Sequence, residues 1–302
     1  MKYGYVGLGH LGANLAMNLV KAGYEVTVTD LNKDNAKKLI AAGAKWADTA
    51  REVAANSDAV ITCLPSPKVS MAVLTGKDGI LAGLKKGGTW IENSTNGKEE
   101  IEAMAKIAAE HGVETLEAPV TGGVHKAAQG TITILIGGDK AVFDKHHPAL
   151  KVMGGEIFHM GPLGSASVIK VITNMLAFIH LVACGEALML AKRGGLDLAQ
   201  AFYAIKASSG NSFVHETEGQ VILNGSYNIN FTMDLACKDL GFATKFGRDF
   251  GVPLKLAGLT EQMLVEGRQA YGGEAWSSQI VKLLEDALHT DLRAPGFPAE
   301  LE

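Results

Sequence analysis

The sequence predicts an α/β fold, a doubly wound parallel sheet, followed by an all-α C-terminal domain. Three observations carry this. Short β-rich runs alternate with helical patterns through the first half. A glycine-spaced loop joins the first strand to the first helix. Only helical patterns follow Gly161-Pro162-Leu163-Gly164. The 302 residues suit two domains, divided here as 1–163 and 164–302, with a core large enough to need no disulfide staples.

The first strand is Tyr3-Gly4-Tyr5-Val6-Gly7-Leu8, and further β-rich runs fall at 26–29, 58–64, 88–92 and 131–136. Helical patterns fill 11–22, 34–42, 98–111 and 140–153, and Thr49-Ala50-Arg51-Glu52 is a capping box opening another helix. After the boundary, residues 165–193 read as one long helix stopped by Gly194-Gly195. Helices at 198–206, 235–250, 254–270 and 277–288 follow, then an irregular Pro/Gly tail, Arg293-Ala294-Pro295-Gly296-Phe297-Pro298.

Composition removes several function classes. With 47% hydrophobic and 20% charged residues the chain is neither disordered nor collagen-like. A net charge of −4, with no long Lys/Arg run, argues against a nucleic-acid partner. Cys63, Cys184 and Cys237 are too scattered for a disulfide framework or zinc knuckle and fit a reducing, cytoplasmic setting. The N-terminal segment lacks the pattern of a signal peptide. The apolar stretch between Lys170 and Glu186 contains Thr173, Asn174 and His180; it predicts a buried helix rather than a membrane span, which needs roughly 20 apolar residues. His146-His147 point about 100° apart on a helix, so no metal site is expected and both read as surface histidines.

Gly7-Leu8-Gly9-His10-Leu11-Gly12 is G-x-G-x-x-G between a strand and a helix, the context of a Rossmann-like dinucleotide site. Gly7 makes the tight turn, Gly9 admits a pyrophosphate, and Gly12 packs the helix on the strand. The helix N-terminus offers N–H groups and a positive dipole end. Asp30 ends the second strand, 18 residues after Gly12, where an acid accepts bonds from ribose hydroxyls and repels a 2′-phosphate. Leu31-Asn32-Lys33 follow it with no arginine, favouring NAD over NADP; the alternative is that Asp30 caps the next turn. Lys170 and Asn174 share one face of the long helix at i and i+4, although a lysine at a helix start also snorkels to solvent.

Four segments in chain order resemble the 3-hydroxyisobutyrate dehydrogenase (β-hydroxyacid dehydrogenase) family. They are Gly7 to Gly12, Glu117-Ala118-Pro119-Val120-Thr121-Gly122-Gly123, the run Gly164 to Asn174, and Phe231-Thr232-Met233-Asp234-Leu235-Ala236-Cys237-Lys238-Asp239-Leu240. The resemblance covers essentially the whole chain. It implies that Lys170 exchanges a proton with the substrate hydroxyl, where an ammonium meets a developing alkoxide and burial favours the neutral base. Asn174 would orient the lysine or the substrate. Thr121, Gly122 and Gly123 would hold a carboxylate. Leu64, Pro65, Thr95 and Lys238 would line the cofactor, and Phe231 and Asp239 would meet the substrate.

Thr121 stands where the family often has Ser, and Ala166 replaces a common glycine. His125-Lys126 stand where many members have small residues. Lys126 is similar to the tartronate semialdehyde reductase branch and suits a doubly charged substrate, a sulfonate included; the alternative is that both residues face solvent. The resulting expectation is an NAD-dependent reductase or dehydrogenase of a small β-hydroxy acid, working as a homodimer or homotetramer. Tartronate semialdehyde and sulfolactaldehyde reductases are the neighbouring readings. Lys170 argues against an imine reductase and against a non-enzymatic interaction module, and the second half looks too short for a decarboxylating sugar-acid enzyme.

Overall fold

The computed structural model describes residues 1–301, which form two compact units divided between Lys170 and Val171. Unit 1 runs β1 (Lys2–Val6), α1 (Gly12–Lys21), β2 (Glu25–Thr29), α2 (Lys37–Ala41), β3 (Lys45–Trp46), α3 (Ala50–Ala55), β4 (Ala59–Thr62) and α4 (Pro67–Thr75). It continues through β5 (Thr89–Glu92), α5 (Lys98–Glu110), β6 (Glu114–Glu117), β7 (Val120–Thr121), α6 (Val124–Ala128), β8 (Ile132–Gly138), α7 (Lys140–Met153) and β9 (Gly154–Gly161). It ends in the first residues of α8 (Ser165–Arg193).

The strand order is β3-β2-β1-β4-β5-β6-β8-β7, with β9 beside β8. Strands β3 to β6 in this order are parallel, whereas β8 is antiparallel to both β6 and β7. Chain order reverses between β1 and β4, the switch point at which such sheets bind ligands. Alternation along the strands feeds two cores. Tyr3, Tyr5, Ile61 and Ile91 pack with Leu15 and Leu19 of α1 and Leu150 of α7. Val6, Val60 and Trp90 pack with Val53 of α3, Leu74 of α4 and Ile101 of α5. Both faces are apolar because helices cover both.

Several expectations need correction. His146 is buried, not a surface residue: its Nδ1 lies 3.0 Å from Tyr3 Oη and its Nε2 2.9 Å from Thr89 Oγ1. Burial, with Lys145 beside it, pushes its pKa down to about 4. The capping box is half formed. Thr49 Oγ1 accepts from Glu52 N, but the Glu52 carboxylate accepts from Asp48 N rather than Thr49 N. Helix α8 is buried along one face only. Val171, Phe178, Leu181 and Leu188 are buried, while Ile172, Leu176 and Leu190 are exposed. By length and composition α8 is long and apolar enough to cross a membrane.

Unit 2 holds the rest of α8, then α9 (Leu198–Lys206), α10 (Phe213–Asn224), α11 (Met233–Asp249), α12 (Lys255–Tyr271) and α13 (Lys282–Ala287). Residues 277–281 form a 3₁₀ turn before α13 instead of continuing one helix. Thr232 caps α11 through its hydroxyl. The tail has no regular structure, yet it is anchored. Buried Glu285 accepts from Tyr227 Oη and from Leu292 N, and Phe297 packs edge-on against Phe202 at 4.9 Å.

Candidate active site

The glycine loop has the shape a pyrophosphate needs. Gly7 has φ +93°, and a Cβ there would lie 2.3 Å from Cys63 O; at Gly12 a Cβ would lie 2.1 Å from Gly7 O. A Cβ at Gly9 would meet nothing within 4 Å. Two glycines thus close the turn and the third faces open space. No side chain caps α1, and its first turn carries no acid, so its N-terminus suits an anion. This is the fit expected of a nicotinamide dinucleotide. His10 is exposed beside the turn and Leu8 is buried under it.

Asp30 does more than end a strand. Its Oδ2 accepts from Leu8 N at 2.6 Å, and its Oδ1 accepts from Asn32 N at 2.8 Å and Asn35 Nδ2 at 3.1 Å. The carboxylate therefore ties β2 to the loop and also makes the following turn. Leu64 N donates to Ser94 Oγ at 2.7 Å, and Ser94 N to Glu92 Oε1 at 2.8 Å. These bonds fix the ends of β4 and β5, which carry Leu64, Pro65 and half-buried Thr95. Burial raises the Glu92 carboxyl and pushes the Cys63 thiol to about 12, which keeps the thiol protonated and inert.

Thr121 ends β7. Gly122 and Gly123 follow with φ +125° and +90°, a left-handed pair open to glycine alone without strain. The Lys126 stem folds back over this turn, its Cδ 3.1 Å from where a Gly122 Cβ would stand. The His125 ring lies 3.0 Å from the corresponding point on Gly123, and desolvation with Lys126 nearby lowers its pKa. Both side chains thus lie against the glycine turn. Asn18 Nδ2 donates to Ala127 O at 2.8 Å and pins α6, which follows the turn, to α1. Lys170, at the end of unit 1, is only 7% exposed.

In unit 2, Asn174 Nδ2 donates to Asp239 Oδ2 at 2.6 Å, and Lys238 Nζ pairs with Asp239 Oδ1 at 2.7 Å. Asp239 is 1% exposed, and Lys238 also lies over the Phe242 ring at 5.5 Å. Phe231 is half-buried against Phe178, ring centroids 6.1 Å apart, just ahead of the α11 cap. Sequence reasoning missed the supports Ser94 and Asn93. Asn93 Nδ2 donates to Ala118 O at 2.6 Å and holds the strand end that leads to Thr121. The legible signal was the polar run Glu92-Asn93-Ser94-Thr95 directly after an apolar strand. No cluster of metal-ligating side chains occurs among the described residues.

Residues 2–161 match the family model for the NAD-binding domain of 6-phosphogluconate dehydrogenase. Residues 164–284 match the NAD-binding domain of NADP-dependent 3-hydroxyisobutyrate dehydrogenase. The chain is 35% identical over 286 residues to 2-(hydroxymethyl)glutarate dehydrogenase of Eubacterium barkeri, covering 94% of this chain and 95% of the relative. It is 36% identical over 246 residues to an NAD-dependent L-serine dehydrogenase of Pseudomonas aeruginosa, covering 79% and 83%. The crystal structure of 3-hydroxyisobutyrate dehydrogenase from Salmonella typhimurium superposes with TM-score 0.88 at 30% identity, covering 94% of this chain and 99% of that one. The ordered glycine loop, the Thr-Gly-Gly turn and these matches over nearly the whole length lead to one conclusion: the chain belongs to the 3-hydroxyisobutyrate dehydrogenase family of β-hydroxyacid dehydrogenases.

Proposed function

We propose that this dehydrogenase uses NAD and interconverts a small β-hydroxy acid with its semialdehyde, with Lys170 as general acid and base. The observation that carries the reading is a lysine kept 7% exposed on α8, one turn before Asn174, which a buried carboxylate holds in place. The nicotinamide, when bound, supplies the hydride acceptor or donor. Gly7, Leu8, Gly9, His10, Leu11 and Gly12 would seat its pyrophosphate, Asp30 its ribose, and Leu64, Pro65 and Thr95 would line its path.

Lys170 acts at the substrate oxygen. As the neutral amine it takes the hydroxyl proton during oxidation; as the ammonium it returns a proton to the developing alkoxide during reduction. Asn174, one turn along the same helix, orients the lysine or the substrate. The Thr121 hydroxyl and the Gly122 and Gly123 amides would hold the carboxylate, because a glycine pair lets the backbone come close to a ligand. Asp239, expected at the substrate from the family resemblance, is instead buried and holds Asn174.

A second anionic group on the substrate is favoured by Lys126, whose stem lies along the carboxylate-binding turn. The Eubacterium relative is named for a dicarboxylate. The working form is a homodimer or homotetramer, which would cover exposed Leu190, Leu196, Leu256 and Leu259, and three unpaired cysteines suit the cytoplasm. The test is a panel of hydroxy acids and semialdehydes with NAD(H) and NADP(H), followed at the nicotinamide absorbance. Turnover of β-hydroxy acids with NAD supports the proposal; no turnover of any member with either cofactor overturns it.

A further inference from the structure

The Glu117 carboxylate closes on the first turn of α8. Its Oε1 accepts from Ala166 N at 2.9 Å, and its Oε2 accepts from Ser167 N at 3.0 Å and Ser167 Oγ at 2.5 Å. Glu117 is 1% exposed, so these bonds are shielded from water and solvent screening. The neighbouring strand is shaped around it. Glu117 stands opposite Gly137 in the β6–β8 pairing, and a Cβ at Gly137 would lie 2.0 Å from Glu117 Oε1. A buried carboxylate with three donors and a strand hollowed to receive it is more than a local cap.

Its place in the chain says what it positions. Glu117 ends β6, and the chain leaving it forms Thr121, Gly122 and Gly123. Ala166 and Lys170 are i and i+4 on α8, so they share a face, and a helical side chain leans back over the turn preceding it. The Lys170 stem therefore lies over the turn that Glu117 holds. We propose that Glu117 is a positioning residue, which locks the start of α8 against the strand feeding the Thr121-Gly122-Gly123 turn and so sets the distance between Lys170 and the bound carboxylate. The inference rests on the catalytic reading of Lys170. Glu117 touches neither substrate nor cofactor; it acts through the helix.

Two variants test it. Glu117→Gln keeps the volume, but its NH2 group faces amide or hydroxyl donors. Ser167→Ala removes one donor and leaves the backbone intact. In the folded proteins, Glu117→Gln is expected to lower kcat about 10–100-fold, the scale of a misplaced catalytic group. Ser167→Ala should lower it roughly 3–10-fold. KM and NAD affinity should stay within about threefold, a split that general destabilisation does not produce. In the cofactor-free Glu117→Gln protein, amide exchange at Ala166 and Ser167 should rise on the order of tenfold or more. If Glu117→Gln does not fold, Ser167→Ala decides. A kcat within twofold of the parent in the folded variants overturns the proposal, as does unchanged amide exchange. Lys170→Ala separates the two layers. If it keeps turnover, the catalytic reading fails whatever Glu117 does. If it loses turnover while the Glu117 and Ser167 variants keep it, only the positioning role fails.

Discussion

Asn174 Nδ2 donates to Asp239 Oδ2 across 2.6 Å, joining α8 to α11 through a carboxylate that is 1% exposed and also paired with Lys238. A charge-assisted bond in such a place is worth roughly 1.5–3 kcal/mol. Asn174→Ala and Asp239→Ala should each lower kcat/KM by about tenfold or more, and the double variant should cost far less than the product of the two. A thermodynamic cycle on kcat/KM measures this. Full additivity would show that the two side chains act independently.

His146 makes stability depend on pH. Its folded pKa of about 4 lies below the ordinary value of 6.5, because burial penalises the charged ring. Between those values the unfolded chain binds the proton and the folded one does not. The His146 contribution is therefore complete above about pH 6.5 and is lost as pH falls toward 4, by roughly 1.4 kcal/mol per pH unit and about 3 kcal/mol in all. Denaturant unfolding of the parent and His146→Gln across pH 4–7 checks it. The stability difference should shrink on acidification; a pH-independent difference contradicts the assignment.

The parts legible in the sequence were those set by local patterning. Strand alternation at Tyr3 and Tyr5, the Gly7–Gly12 spacing and the long apolar run of α8 each report their own conformation. The parts that were not legible depend on partners far along the chain. His146 looks like a surface residue until β1 brings Tyr3 to it and β5 brings Thr89. Strand β9 was missed because Glu156, Phe158 and Met160 leave one side exposed, without the apolar run of a central strand. Glu117 could be quoted as part of a motif, but its task appears only once Ala166 and Ser167 are placed against it.

Asp30 ties the glycine loop to β2 and, in the proposed reading, selects the cofactor; its removal should show both. Losing the bond to Leu8 N loosens the glycine loop for either cofactor. Losing the charge relieves a 2′-phosphate alone. The parent is expected to favour NAD over NADP in kcat/KM by about tenfold or more, and Asp30→Ala should weaken NAD use while narrowing that ratio. Steady-state rates with both cofactors measure it; equal use of the two by the parent would remove Asp30 from cofactor choice.

Lys126 is predicted to read the second anionic group of a substrate. Lys126→Ala should reduce kcat/KM for dicarboxylate or sulfonate substrates roughly tenfold or more relative to 3-hydroxyisobutyrate, in line with one charge-assisted bond. Parallel kinetics on the two substrate types give the ratio. A uniform change within about twofold would place Lys126 outside the specificity site.

Whether Lys170 carries the proton is tested by single-turnover kinetics of Lys170→Ala with NAD and a β-hydroxy acid the parent oxidises. NAD binding, read by quenching of protein fluorescence, should match the parent, and the circular dichroism spectrum should be unchanged. The rate of the chemical step should fall by about 10²–10⁴-fold, the scale of a lost general base, and an added small primary amine should restore part of it. A folded Lys170→Ala protein that turns over within about threefold of the parent rate would show that another group carries the proton.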